Sequence, residues 1–64
     1  MSVILKFRKE EFTVASGLTV RKALEEINIP PDSVLPTRNG ELITEDEILH
    51  EGDVIRLVAV ISGG

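Results

Sequence analysis

The residues best placed to do chemistry in this sequence are the last three, Ser62, Gly63 and Gly64. Two glycines in a row carry no Cβ to hold a partner's backbone away, so a terminal stretch that threads into another protein is expected. A C-terminal carboxylate, with a pKa of about 3.5, is ionised at neutral pH and is a poor electrophile. It becomes reactive only when a second protein attaches a leaving group, so Gly64 reads as a group to be modified.

The other reactive side chains have simpler explanations. His50 is the one histidine and stands in Glu51-Gly52-Asp53 turn sequence, where a solvated residue is expected. Glu45-Asp46-Glu47 does not have the spacing of a calcium loop. Capping at the start of a helical turn, with Thr44 and Glu47 as a capping box, accounts for it, and no metal site is expected. With no cysteine in the chain there is no disulfide framework, thiolate metal site or redox motif. Lys6, Arg8, Arg56, Val58 and Val60 fall together on alternate positions of two strands and form a basic and apolar docking face.

The elements that hold these residues follow from hydrophobic periodicity. Val3 to Arg8 alternates, with Val3, Leu5 and Phe7 on one side and Ile4, Lys6 and Arg8 on the other. A reversal at Lys9-Glu10 leads to Glu11-Val14, whose Phe12 and Val14 join the inner side. Thr19 stands where a helix N-cap belongs. Leu18 and Ala23 occupy the positions of a hydrophobic staple, and Val20, Ala23, Leu24 and Ile27 form one apolar stripe. Arg21 and Lys22 at the start of this helix and Glu25 and Glu26 near its end oppose the macrodipole. Asn28 suits a left-handed terminator, and Pro30-Pro31 forbids continuation.

A strand over Val34-Arg38 carries Pro36, whose nitrogen must face away from any ladder bond. Asn39-Gly40 predicts a type I′ turn into a short edge strand, Glu41-Ile43. A 3₁₀ turn is expected over Thr44-Glu47. The final run, Ile55 to Ile61, has one charge and reads as a central strand buried on much of both faces. The first and last strands then run parallel, joined by a right-handed helical crossover. The fold class is α+β: a β-grasp roll with a mixed sheet and one helix across one face, in the order β-β-α-β-β-(3₁₀)-β.

Length and charge narrow the function classes. Sixty-four residues make one domain, residues 1–64, with a flexible tail over 62–64. A chain this short buries only about 60% of its unfolded surface and has no room for an enclosed catalytic pocket. A net charge of −4 and only two aromatic residues, Phe7 and Phe12, argue against direct nucleic-acid binding, which needs counterion release or stacking platforms. No run approaches the roughly 18 apolar residues of a transmembrane helix. The sequence begins Met1-Ser2-Val3 and passes directly into strand pattern, so a cytoplasmic monomer without membrane contact is expected.

The strand order, the Asn39-Gly40 turn, the Glu51-Gly52-Asp53 turn into an apolar strand, and the Ile61-Ser62-Gly63-Gly64 ending together resemble the ubiquitin-like sulfur carrier proteins of the ThiS and MoaD families, including the carriers that serve tRNA thiolation. The resemblance covers essentially the whole chain. It implies that an E1-like enzyme adenylates the Gly64 carboxylate with ATP, and that a sulfur donor of the cysteine desulfurase or rhodanese type converts it to a thiocarboxylate. A downstream enzyme then accepts the sulfur, in tRNA 2-thiolation first, then thiazole synthesis for thiamine, then molybdopterin synthesis. Gly63 and Ser62 would thread into the activating enzyme. The carrier itself is no enzyme and binds no cofactor, since ATP belongs to its activator. Two other readings stand beside this one: a modifier joined through Gly64 to lysines of target proteins, and a β-grasp interaction module whose tail is inert.

Overall fold

The computed structural model describes residues 2–60. Its elements are β1 (Ser2–Phe7), β2 (Glu10–Ala15), α1 (Val20–Glu26), a 3₁₀ turn (Pro31–Ser33), β3 (Val34–Arg38), β4 (Glu41–Leu42) and β5 (Val54–Ala59). They form one five-stranded sheet in the order β2-β1-β5-β3-β4. The central strand β5 runs parallel to β1 and antiparallel to β3. This is the expected β-grasp arrangement, with α1 as the crossover between the hairpin and the rest of the sheet.

One face of the sheet carries the core. Val3 and Leu5 of β1, Val14 of β2, Val34 of β3, and Ile55 and Leu57 of β5 are buried with Val20, Ala23 and Leu24 of α1. Leu49, outside every strand, is fully buried among them. Full burial of a leucine or valine side chain stabilises by roughly 1.5–3 kcal/mol, and these residues are what close the roll. Phe7, Phe12 and Ile27 pack against the rim of the same cluster.

Both ends of α1 are satisfied by specific groups. Thr19 is the N-cap, and its Oγ1 accepts from the Lys22 N–H at 3.2 Å. The Val20 and Arg21 N–H groups donate to the carbonyls of Glu47 and Glu45, each at 3.0 Å. The three amides of the first turn are thus all occupied, two of them by a distant loop. At the other end Asn28 has φ 62°, and Ile29 N–H and Asn28 N–H donate to the carbonyls of Leu24 and Glu25. That pairing is a Schellman motif with asparagine in the left-handed position. The unfavourable charge order of α1 is partly relieved, since the Arg21 guanidinium bonds the Glu45 carboxylate through Nε at 3.0 Å and through Nη2. Glu45, with smaller help from Asp46 and Glu25, raises the Arg21 pKa above its ordinary value.

Four local expectations are corrected. The first turn lies at Arg8-Lys9 and not at Lys9-Glu10, because Phe7 pairs with Glu10. Arg8 takes φ 58°, the left-handed region, at the first central position of this two-residue turn. The 3₁₀ turn is at Pro31–Ser33, where Ser33 N–H and Oγ both donate to the Pro30 carbonyl at 3.0 and 2.8 Å. Thr44-Glu47 is a plain reversal closed by Glu47 N–H to the Thr44 carbonyl, because its carbonyls are drawn to α1. Glu45-Asp46-Glu47 is likewise explained by ion pairs to Arg21 and Arg38 and not by capping. Finally, β5 is buried on one face only: Ile55 and Leu57 point inward, while Val54, Arg56 and Val58 are exposed. A single helix covers a single face, and nothing among the described residues covers the other.

The remaining turns are as expected. Asn39 and Gly40 have φ 54° and 83°, the two positive values of a type I′ turn. The Pro36 carbonyl accepts from Ile43 N–H, and the ring nitrogen faces the side where two-residue β4 makes no demand. Among the described residues no helix is long and apolar enough to cross a membrane.

Candidate functional site

Register places the basic docking residues. Lys6 of β1 lies directly opposite Arg56 of β5, and Arg56 lies opposite Thr37 of β3. On the other side Lys6 faces Glu11 of β2, with the ammonium 3.8 Å from the carboxylate. Thr37 Oγ1 donates to the Arg56 carbonyl at 2.9 Å, fixing the β3 side of this row. Arg56 itself makes no ion pair among the described residues.

Lys6, Arg8, Arg56 and Val58 line one open cleft of about 460 Å³, together with Lys9, Glu10, Glu11 and Leu57. Arg8 reaches it from the hairpin turn, its guanidinium 5.1 Å from the centre of the Phe7 ring. Strand periodicity alone predicts Arg8 on the flat of the sheet; the one-residue shift of the turn puts it at the end. Val60 lies apart from these four. Its N–H donates to the Ser33 carbonyl at 2.9 Å, and it lines a separate cleft of about 380 Å³ with Pro31, Val34 and Leu35.

The exposed face also contains residues that strand patterns alone did not single out. Leu35 is opposite Val58, and Val54 is opposite the half-buried Ile4. Leu35, Val54, Val58 and Val60 are between 41% and 47% exposed. Leu42, opposite Thr37 at the far edge, is 67% exposed. The outer sheet surface is therefore a positive row with exposed apolar residues on either side of it. The Asn39-Gly40 turn fixes the pairing of β3 with β4 only, so the sequence carries no local signal for Leu35 beside Val58, which depends on the pairing of β3 with β5.

Away from that face, Arg38 gathers the loop that leads into β5. Its Nη2 donates to Asp53 Oδ2 at 3.0 Å and to the Ile48 carbonyl at 3.1 Å, and its Nη1 approaches Glu47 Oε1 at 3.4 Å. Asp53 Oδ2 also accepts from the His50 N–H at 2.9 Å. His50 is an exposed turn residue. Among the described residues no group of three or more His, Asp or Glu is placed to hold a metal ion. Ser62, Gly63 and Gly64 lie outside the described residues.

Comparison with known proteins adds what geometry alone does not. The ThiS family model matches residues 3–64. The chain is 32% identical over 65 residues to the sulfur carrier protein TtuB of Thermus thermophilus, and the match covers 100% of both chains. Among solved structures it is similar to the N-terminal ubiquitin-like domain of the 4931431F19Rik protein, at TM-score 0.72 and 19% identity over 100% of this chain and 78% of that one. That likeness shows the ubiquitin-like fold. It is also similar, at TM-score 0.67 and 25% identity over 100% of both chains, to a chain of the complex of subunits 1 and 2 of molybdopterin-converting factor from Helicobacter pylori.

Proposed function

Because the chain belongs to the ThiS family, we propose that it is a sulfur carrier whose C-terminal Gly64 is charged by an E1-like enzyme. The observation that carries this reading is the end-to-end match to a sulfur carrier at 32% identity. As in other carriers of this family, the chain is a co-substrate and not a catalyst.

The chemistry follows from the carboxylate. Attack of a Gly64 oxygen on the α-phosphorus of ATP forms the acyl-adenylate and releases pyrophosphate. The terminal sulfur of a donor persulfide then displaces AMP to give an acyl disulfide. A second thiol cleaves its S–S bond, releasing the thiocarboxylate and leaving a disulfide on the donor side; a downstream enzyme consumes the thiocarboxylate. No cysteine competes for the sulfur, so the terminus is its one point of attachment in the chain. Ser62 and Gly63 thread the tail into the activator, and Gly63 suits that role because no Cβ widens the backbone.

The activator docks on the outer sheet face, against Lys6, Arg8, Arg56 and Val58, with Val60 at the root of the tail. Support for this comes from the exposed apolar residues around Arg56 and from their position on β5, the strand that leads into the tail. Among sulfur destinations, tRNA 2-thiolation is favoured by the Ile61-Ser62-Gly63-Gly64 ending. Molybdopterin synthesis is a second reading, supported by the likeness to the Helicobacter pylori complex.

Mass spectrometry of the protein from its own cells tests the carrier reading against the modifier reading. A carrier shows the mass gained when one terminal oxygen is exchanged for sulfur. Gly-Gly remnants on lysines of other proteins, with no sulfur at the terminus, would favour the modifier.

A further inference from the structure

Strands β1 and β5 part before the root of the tail. Their last register pair is Phe7 with Leu57, after which Arg8 turns away at φ 58°. β5 continues to Ala59, held on its other side by pairing with Val34 and by Val60 N–H to the Ser33 carbonyl.

The direction of the main-chain groups is fixed by the bonds on each side. The Asp53 carbonyl accepts from Ile4 N–H, so residues 53, 55, 57 and 59 present their polar groups toward β1. Val60 and its even-numbered neighbours present theirs toward β3. The N–H and C=O of Ala59 therefore point into the space that β1 has vacated, and among the described residues no strand pairs with them there. This is a short open edge on an otherwise central strand, the kind of edge that takes an added strand.

The flanks of the opening specify its occupant. Beside it is the cleft lined by Lys6, Arg8, Lys9 and Arg56, with Glu10 and Glu11 as its only acids. Lys6 is engaged by Glu11, while Arg8, Lys9 and Arg56 make no ion pair among the described residues. We infer that an extended, acidic segment of the activating enzyme adds to β5 at this fork, exchanging main-chain hydrogen bonds with Ala59 and placing a carboxylate between Arg8 and Arg56. The inference rests on the outer-face docking proposed above and adds to it the form and charge of the partner's contact.

The test uses the full chain and the adenylating enzyme of the same cells. Amide hydrogen exchange of the carrier is measured free and in the complex. A second carrier, made by chemical synthesis with L-lactate in place of Ala59, loses that N–H, which bonds nothing among the described residues, and weakens the Val58 carbonyl that faces Leu35 of β3. Its urea midpoint is therefore measured alongside, and its affinity is compared with that of a lactate form at Val54, which weakens a carbonyl away from the fork. Strand addition requires Ala59 exchange to slow in the complex and the Ala59 lactate form to lose about tenfold in affinity, the scale of one lost hydrogen bond. Arg8→Glu should weaken the complex as well. Unchanged Ala59 exchange with perturbed Lys6 and Arg56 amides would overturn the strand addition and leave the docking face standing. Perturbation of neither would overturn both. Protection of Ala59 that grows with carrier concentration in the absence of enzyme would assign the edge to a second copy and overturn the inference.

Discussion

Lys6 and Arg56 sit directly across from each other on parallel neighbours β1 and β5, two cations side by side on the open face of the sheet. Like charges in opposed positions destabilise a sheet. Glu11 relieves Lys6 on its far side, while Arg56 has no ionic partner among the described residues. The docking face proposed above would give Arg56, which lies among exposed apolar residues, the partner that the fold does not.

Replacing that residue should separate the two roles. Arg56→Glu removes the repulsion with Lys6, so thermal unfolding should show stability unchanged or raised by about 0.2–1 kcal/mol. The same variant should reduce activation of Gly64 by about tenfold or more, as loss of a charge at the centre of an interface does. Activation at the parental rate would remove this face from the account.

Leu49 tests where the core is closed. It lies outside every strand, is fully buried, and its N–H donates to the Leu18 carbonyl at 2.8 Å. Leu49→Ala should cost about 2–5 kcal/mol, enough to unfold much of a domain with so small a core. Urea denaturation followed by circular dichroism measures it. A loss below about 1 kcal/mol would mean that segment 44–53 packs less closely than described.

Arg38 makes a different prediction, because its partners and not its own side chain would be left exposed to the loss. Arg38→Ala leaves the Ile48 carbonyl without this donor and Asp53 Oδ2 with the His50 N–H alone, and should destabilise by about 1–3 kcal/mol. Hydrogen exchange should quicken first at Gly52 and Asp53, whose amides bond the Ser2 and His50 carbonyls. Uniform quickening across the sheet would indicate a global effect and no local clasp.

Removing Gly63 and Gly64 should abolish charging while leaving the unfolding transition where it was, since the core cluster is built entirely within residues 3–57. Assay of sulfur transfer in cells lacking the full-length chain checks the functional half. Normal transfer by the truncated chain would favour the inert-tail reading.

Features fixed by near neighbours in the chain were legible in the sequence. Thr19 caps α1 through a residue three positions on, Asn28 ends it through its own φ, and Asn39-Gly40 makes its turn without outside help. Features fixed at a distance were not. The pattern Thr44 to Glu47 reads as a capping box, yet the Glu45 and Glu47 carbonyls serve α1 and the Glu47 carboxylate serves Arg38. Arg8-Lys9 has no glycine or asparagine to mark it, so the hairpin turn was displaced by one residue, and Arg8 with it. The apolar run of β5 has no strong alternation, so it reads as buried on much of both faces although Val54, Arg56 and Val58 are exposed. Lys6, Arg56 and Val58 share the outer face, because register with β1 depends only on which side Val3, Leu5, Ile55 and Leu57 share. Val60 was grouped with them by parity alone, and the end of β3 draws it into a different cleft.

The central claim is that the Gly64 carboxylate is what another enzyme charges. It is tested most directly by incubating the chain with the activating enzyme of its own cells and ATP, then following pyrophosphate release and the mass of the C-terminal peptide. The account predicts one pyrophosphate per chain and an acyl-adenylate at Gly64, both absent when Gly64 is deleted. Absence of pyrophosphate release with the intact chain, or equal release with the deleted one, would contradict it.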